Sequence, residues 1–169
     1  MTELNNDLEL SAGTDYNMDE VDDMPQYINQ IDGVYACSLG LTRETGEKNG
    51  KEQDNLVFTF VIDEIIEEKK DHGINVEDIV AIRYSLVRSS RDIEDRKKES
   101  FGLRLAKPAL LAIREALQCG GSLNEIIKEA QDVKCTVTFS TRESKGQDKE
   151  GNTVIYHNPQ IKKLIVGWA

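Results

Sequence analysis

The residues from Val133 to Val166 constrain the fold of this chain more than any other stretch. Val133-Lys134-Cys135-Thr136-Val137-Thr138-Phe139-Ser140 alternates apolar and polar side chains without a break. Because successive side chains of a strand point to opposite faces, this pattern demands a strand with one face on a core and one in solvent. The chain then passes through Arg142 to Asn152, which is too polar and glycine-rich to bury and reads as a charged loop. It returns through Thr153-Val154-Ile155-Tyr156, crosses Asn158-Pro159 and closes with Ile161-Lys162-Lys163-Leu164-Ile165-Val166. The expectation is one long β-hairpin, the back half of a small barrel. An ordinary surface hairpin of an α+β domain is the alternative.

The rest of the chain supplies partners for that hairpin. Tyr35, Cys37, Leu39 and Leu41 share one face of a first strand over Gly33–Arg43, followed by a polar turn from Glu44 to Asn55. Leu56, Phe58, Phe60 and Ile62 share a face of a second strand, Leu56–Ile66, whose composition is strongly β-prone. Asp63-Glu64 and Glu67-Glu68, at its end, read as solvated carboxylates rather than a catalytic pair. Ile79–Val87 reads as a third strand, with Val80, Ile82, Tyr84 and Leu86 inward and Arg83 outward. Arg88 to Ser100 is dense in mixed charges and reads as a short helix or a solvated connector. Phe101-Gly102-Leu103-Arg104-Leu105 alternates like a short strand, with Arg104 opposite the apolar face.

Pro108 then marks a helix start, since a first-turn proline lacks only an N–H that has no helical partner. Leu110, Ile113 and Leu117 form an apolar stripe at helical spacing up to Gly120-Gly121. Ser122-Leu123-Asn124-Glu125 has the capping-box spacing that opens a second short helix.

Charge divides the chain in two. Of its 31 acidic residues, nine lie in residues 1–32, which hold none of the 21 lysines and arginines. Residues 33–169 therefore carry 22 acids against 21 bases, although the whole chain has a formal charge of −10. Residues 1–31 cannot bury enough apolar surface to offset the entropy of ordering them, so we expect a flexible acidic arm ahead of a domain over 32–169. Asp22, Asp23, Met24 and Pro25 end the arm as a candidate partner-docking motif, against a plain solubilising tail.

Other chemistry leaves few traces. Three widely spaced cysteines without a Cys-x-x-Cys suggest buried thiols in a reducing compartment. Phosphate-loop, dinucleotide-binding and nucleophile-elbow motifs are absent from the sequence. His72 and His157 fall in expected loops with no ligand at metal spacing. The expectation is a non-enzymatic protein of the cytoplasm, with neither metal nor cofactor. No apolar run approaches membrane-spanning length.

Gly33-Val34-Tyr35-Ala36, Leu103 to Leu110, Asp148-Lys149-Glu150-Gly151-Asn152 and Asn158-Pro159-Gln160-Ile161-Lys162 resemble stretches of bacteriophage OB-fold single-stranded DNA-binding proteins. The likeness is one of pattern over residues 33–166. It implies a five-stranded OB-fold-like barrel, β-rich within the α+β class, with one or two helices between its third and fourth strands. It also implies sequence-nonspecific binding of single-stranded DNA in phage replication or recombination.

Bases on outward faces and loops then become candidate phosphate contacts: Arg83, Arg104, Lys134, Arg142, Lys145, Lys149 and Lys163. Tyr35, Phe58, Phe60, Tyr84, Phe101 and Phe139 fall on expected core faces, which leaves Tyr156 and Trp168 as candidate stacking residues. The acidic arm would meet replication or recombination proteins. Unlike the family's usual docking tail, it is N-terminal. A protein-interaction module on the same fold, such as a virion component or assembly adaptor, is the rival reading.

Overall fold

The computed structural model describes residues 15–167. Five strands form one antiparallel sheet: β1 (Gly33–Lys48), β2 (Lys51–Glu68), β3 (Ile79–Ser85), β4 (Val133–Gln147) and β5 (Thr153–Val166). Their order across the sheet is β3-β2-β1-β4-β5. Three helices, α1 (Ser90–Glu94), α2 (Phe101–Leu117) and α3 (Leu123–Glu129), connect β3 to β4. The edge strands β3 and β5 are not hydrogen-bonded to each other among the described residues, so the sheet is open rather than a closed barrel. Helix α2 packs against both edges.

The alternating positions place the core on one face. Tyr35, Leu39, Leu41, Phe58, Phe60, Ile62, Val80, Val137 and Phe139 are fully or almost fully buried. Aromatic edges meet faces across strands: Phe60 and Phe139 lie 5.1 Å apart at 85°, Phe58 and Tyr84 5.4 Å apart at 76°. Such pairs add about 0.5–1.5 kcal/mol beyond the area they bury.

Two expected loops are strand. Glu44–Asn55 is the end of a β1–β2 ribbon turned by Asn49 and Gly50, with φ of 54° and 75°. Positive φ at both central residues makes the two-residue turn whose twist matches the flanking strands. The segment expected as a loop from Arg142 to Asn152 is mostly ladder, since β4 and β5 pair out to Gln147 and Thr153. That ladder also takes in His157, which was expected in a loop. Both ribbons project beyond the sheet body, from opposite ends of β1. With neither face on a core, there was no hydrophobic period to read.

The expected strand at Phe101–Leu105 is the first part of α2, and Pro108 lies inside that helix rather than at its start. Ser100 is the reason. Its hydroxyl accepts from the Leu103 N–H (3.0 Å) and donates to the Ser85 carbonyl (2.6 Å), capping the helix and tying it to the end of β3. Gly102 permits the approach, because a β-carbon there would lie 2.4 Å from Ser85 O. Leu103, Ala106, Leu110 and Ile113 face the core. Phe101 and Leu105, four residues apart, are more than half exposed, so Phe101 is not a core aromatic.

Helix α1 settles the charged connector. Ser89 and Asp92 form a reciprocal capping box, and the Asp92 carboxylate also accepts from the Phe101 N–H (3.3 Å) and from Arg104 Nη2 (2.7 Å). Hydrogen bonds from Ser89, Phe101 and Arg104, with the Ser89 backbone first, outweigh desolvation and hold this carboxyl down at about 2. At the other end of β3, the Ile28 N–H donates to the Ile79 carbonyl (2.9 Å) and the Ile79 N–H donates to the Gln26 carbonyl (2.8 Å). Ile31, assigned by composition to the arm, is fully buried in the core.

Candidate functional site

The open seam between β3 and β5 is the feature with most chemical content. A cleft of about 660 Å³ runs along it, bordered by Arg83 and Tyr84 of β3, Leu105 of α2, Arg142 of β4, and Asn158 and Lys162 of β5. A second hollow of about 330 Å³ shares Tyr84, Leu105 and Lys162 and adds Lys163. Four bases therefore line one continuous groove, and no carboxylate lines it among the described residues. Its floor is apolar, so the cations meet a low-dielectric wall that strengthens their local potential despite the acidic whole.

Local structure explains how these side chains converge. Ile161, Leu164 and Val166 pack against the core at a spacing of three and then two. The odd step is a bulge: Thr138 pairs with Lys163 and Phe139 with Ile161, leaving Lys162 unpaired opposite them. A bulge re-aims side chains at a sheet edge, and here two adjacent lysines border the groove. Along the ribbon, Arg142 pairs with Asn158 and Ser144 with Tyr156. Residues two apart share a face, so Tyr156 follows Arg142, Ser144 and Asn158 along one surface. The residue is 47 % exposed and its ring lies over Gly146.

The expected site residues separate into groups. Arg83, Arg142, Lys163 and Tyr156 are on the groove or its extension. Arg83 is also 3.5 Å from Glu44, an exposed pair that salt screens. Lys145 pairs with Ile155, on the ribbon face opposite Tyr156, and Lys149 is in the turn that closes the ribbon.

Two candidates are engaged elsewhere. Arg104 projects from a helix, not a strand, bonded to Asp92 and with its guanidinium 5.6 Å from the Phe101 ring centre. Lys134 donates to Ser38 Oγ (2.6 Å), which itself donates to Asp63 (2.6 Å), away from the groove. Trp168 lies outside the described residues, as do the acids Glu3, Asp7 and Glu9. Asp22, Asp23, Met24 and Pro25 are exposed.

Sequence reasoning missed Lys162, Tyr84, Leu105 and Asn158. For Lys162 the signal was present: three steps from Ile161 to Leu164 in an otherwise alternating strand mark a bulge. Among the described residues, no group of three or more His, Cys, Asp or Glu side chains is arranged to hold a metal ion. No helix among them is long and apolar enough to cross a membrane. Comparison with protein-family models, curated proteins and solved structures finds no match.

Proposed function

We propose that this chain is a non-enzymatic single-stranded DNA-binding protein, and that the strand lies in the seam between β3 and β5 and continues over Tyr156. The observation that carries the proposal is the carboxylate-free groove with Arg83, Arg142, Lys162 and Lys163 on its banks. Guanidinium and ammonium groups would follow the phosphates and the Tyr156 ring would stack on a base, a combination indifferent to sequence. Lys145 and Lys149 would add contacts near the turn of the β4–β5 ribbon.

The strand order supports an OB-type reading, since closing such a sheet would bring β3 against β5. The loops between strands 1 and 2 and between strands 4 and 5 are those with which OB folds hold oligonucleotides. A role in bacteriophage replication or recombination, in the host cytoplasm, rests on the resemblance of the sequence. An electrophoretic shift with an oligothymidine tests the proposal. Full-length protein should retard it, and Arg142→Ala combined with Lys162→Ala should do so only at higher protein concentration.

A protein-interaction module, a virion component or assembly adaptor, is the second reading. It is favoured by the exposed apolar side chains of α2, Phe101, Leu105 and Leu111. An unshifted oligonucleotide would select it.

A further inference from the structure

A second groove, of about 490 Å³, lies between α2 and α3. Its floor includes Leu103, Leu110 and Leu123, and its rim carries Arg104, Lys107 and Arg114 against a single acid, Glu99. Arg104 is bound to Asp92, whereas Lys107 and Arg114 have no ion-pair partner among the described residues. An apolar trough with unpaired cations along its lip suits a short segment that presents apolar side chains between carboxylates, and a single helical turn, such as the one Asn17 caps at Met18–Glu20, spaces them that way.

The chain contains such a segment. From Asp15 to Met24, Tyr16, Met18, Val21 and Met24 are all exposed, Met24 by 85 %. Asp19, Glu20, Asp22 and Asp23 separate them. From Met18 onward the apolar residues recur every third position, so the segment is more than a solvating tail. Four exposed large apolar side chains within nine residues have a cost in water that docking would remove.

The exposure of these side chains and the geometry at the segment's root bear on whose groove it enters. Tyr27 bridges Ile79 in the parallel sense, so the chain preceding Tyr27 leaves β3 at its N-terminal end. Helix α2 is pinned to the opposite end of β3, where Ser100 and Gly102 meet Ser85. Six residue steps of strand, about 20 Å, separate those ends, the segment starts out away from its own groove, and its apolar side chains stay exposed rather than seated there. We infer that the groove between α2 and α3 receives the Asp15–Met24 segment of a second copy of this chain, so that two copies exchange acidic arms. The inference does not rest on DNA binding, because this groove is separate from the seam.

The test is sedimentation of the full chain over a range of concentrations at low and high salt. We expect reversible association to twice the monomer mass, weakening as salt rises because the pairing is partly ionic. A chain with Met18→Ser, Val21→Ser and Met24→Ser, all at exposed positions, should associate at least about tenfold more weakly, the effect of a loss of 1.4 kcal/mol. Lys107→Glu with Arg114→Glu should do the same from the groove side. Mixing the two variants should restore association in part, since the mixed pair keeps one of the two contacts, between the intact groove of one variant and the intact arm of the other. A full chain that stays monomeric at every concentration, as it would if the arm reached its own groove, overturns the inference. So does association that both variants retain, or a mixture that stays monomeric.

Discussion

The ring of Tyr156 occupies the space above Gly146: a β-carbon on that glycine would lie 2.7 Å from Tyr156 Cε2. The two residues are on neighbouring strands, two residues out of register, on the surface that also carries Arg142. One side of the ring is thus supported by backbone while about half of the residue stays in solvent, a rigid platform at the end of a basic groove.

If a base stacks on that platform, Tyr156→Ala should weaken oligothymidine binding by about 1–3 kcal/mol, equally for other sequences. Gly146→Ala should displace the ring and reproduce part of the loss. The double variant should bind no worse than Tyr156→Ala, since both changes remove one contact. Fluorescence titration of the three proteins checks this, and unchanged affinity in Tyr156→Ala would return the residue to ordinary packing.

Asp92 joins α1 to the start of α2, and its ionised form is what holds them. The folded-state carboxyl titrates at about 2, below its ordinary 3.8, because donors surround the charged form. A depressed folded pKa contributes stability that is complete above the unfolded value and lost as pH falls through the folded one. Asp92→Asn should therefore lower the melting temperature at neutral pH, and the gap to the parent protein should narrow as pH falls from about 5 to 2. Thermal melts across that range measure it. A gap independent of pH would mean that shape rather than charge matters at this position.

Tyr35 is fully buried, and its hydroxyl has no hydrogen-bond partner among the described residues. Burial, with Glu68 and Asp32 adding to it, pushes the phenol up to about 12, so it stays protonated and its donor unsatisfied. An orphaned buried polar group costs about 1–3 kcal/mol. Tyr35→Phe removes the hydroxyl and keeps the ring against Phe139, so urea unfolding should show a stability gain of about 1 kcal/mol. A loss would reveal a partner for the hydroxyl, such as a bound water.

The core was legible in the sequence because it obeys one period. Tyr35 to Leu41, Leu56 to Ile62 and Val133 to Phe139 each alternate, and each buries the face that alternation selects. Legibility ended where that period had no cause. The ribbons beyond Leu41 and Ser140 are strand by virtue of pairing and turn geometry alone, and the Asn49-Gly50 signal was present but submerged in a polar run.

At α2 two local rules competed. Phe101-Gly102-Leu103-Arg104-Leu105 alternates, yet Ser100 caps a helix there, and Pro108 is accommodated on its exposed side. The groove was least legible of all. Arg83, Arg142 and Lys162 are brought together by the failure of β3 and β5 to pair, a property of the whole sheet that no stretch of sequence carries.

The most direct test of the account is the salt dependence of oligothymidine affinity. Each phosphate neutralised on a single strand contributes about −0.7 to the slope of log affinity against log salt. Six contacts, from Arg83, Arg142, Lys162 and Lys163 in the seam with Lys145 and Lys149 near the ribbon turn, predict a slope of about −4. Replacing Arg142 and Lys162 by alanine should bring it to about −3, whereas replacing Arg104, which is bound to Asp92, should leave it unchanged. A flat profile, tighter binding to duplex than to single strand, or a slope indifferent to Arg142 and Lys162 would contradict the assignment of the seam as the DNA site.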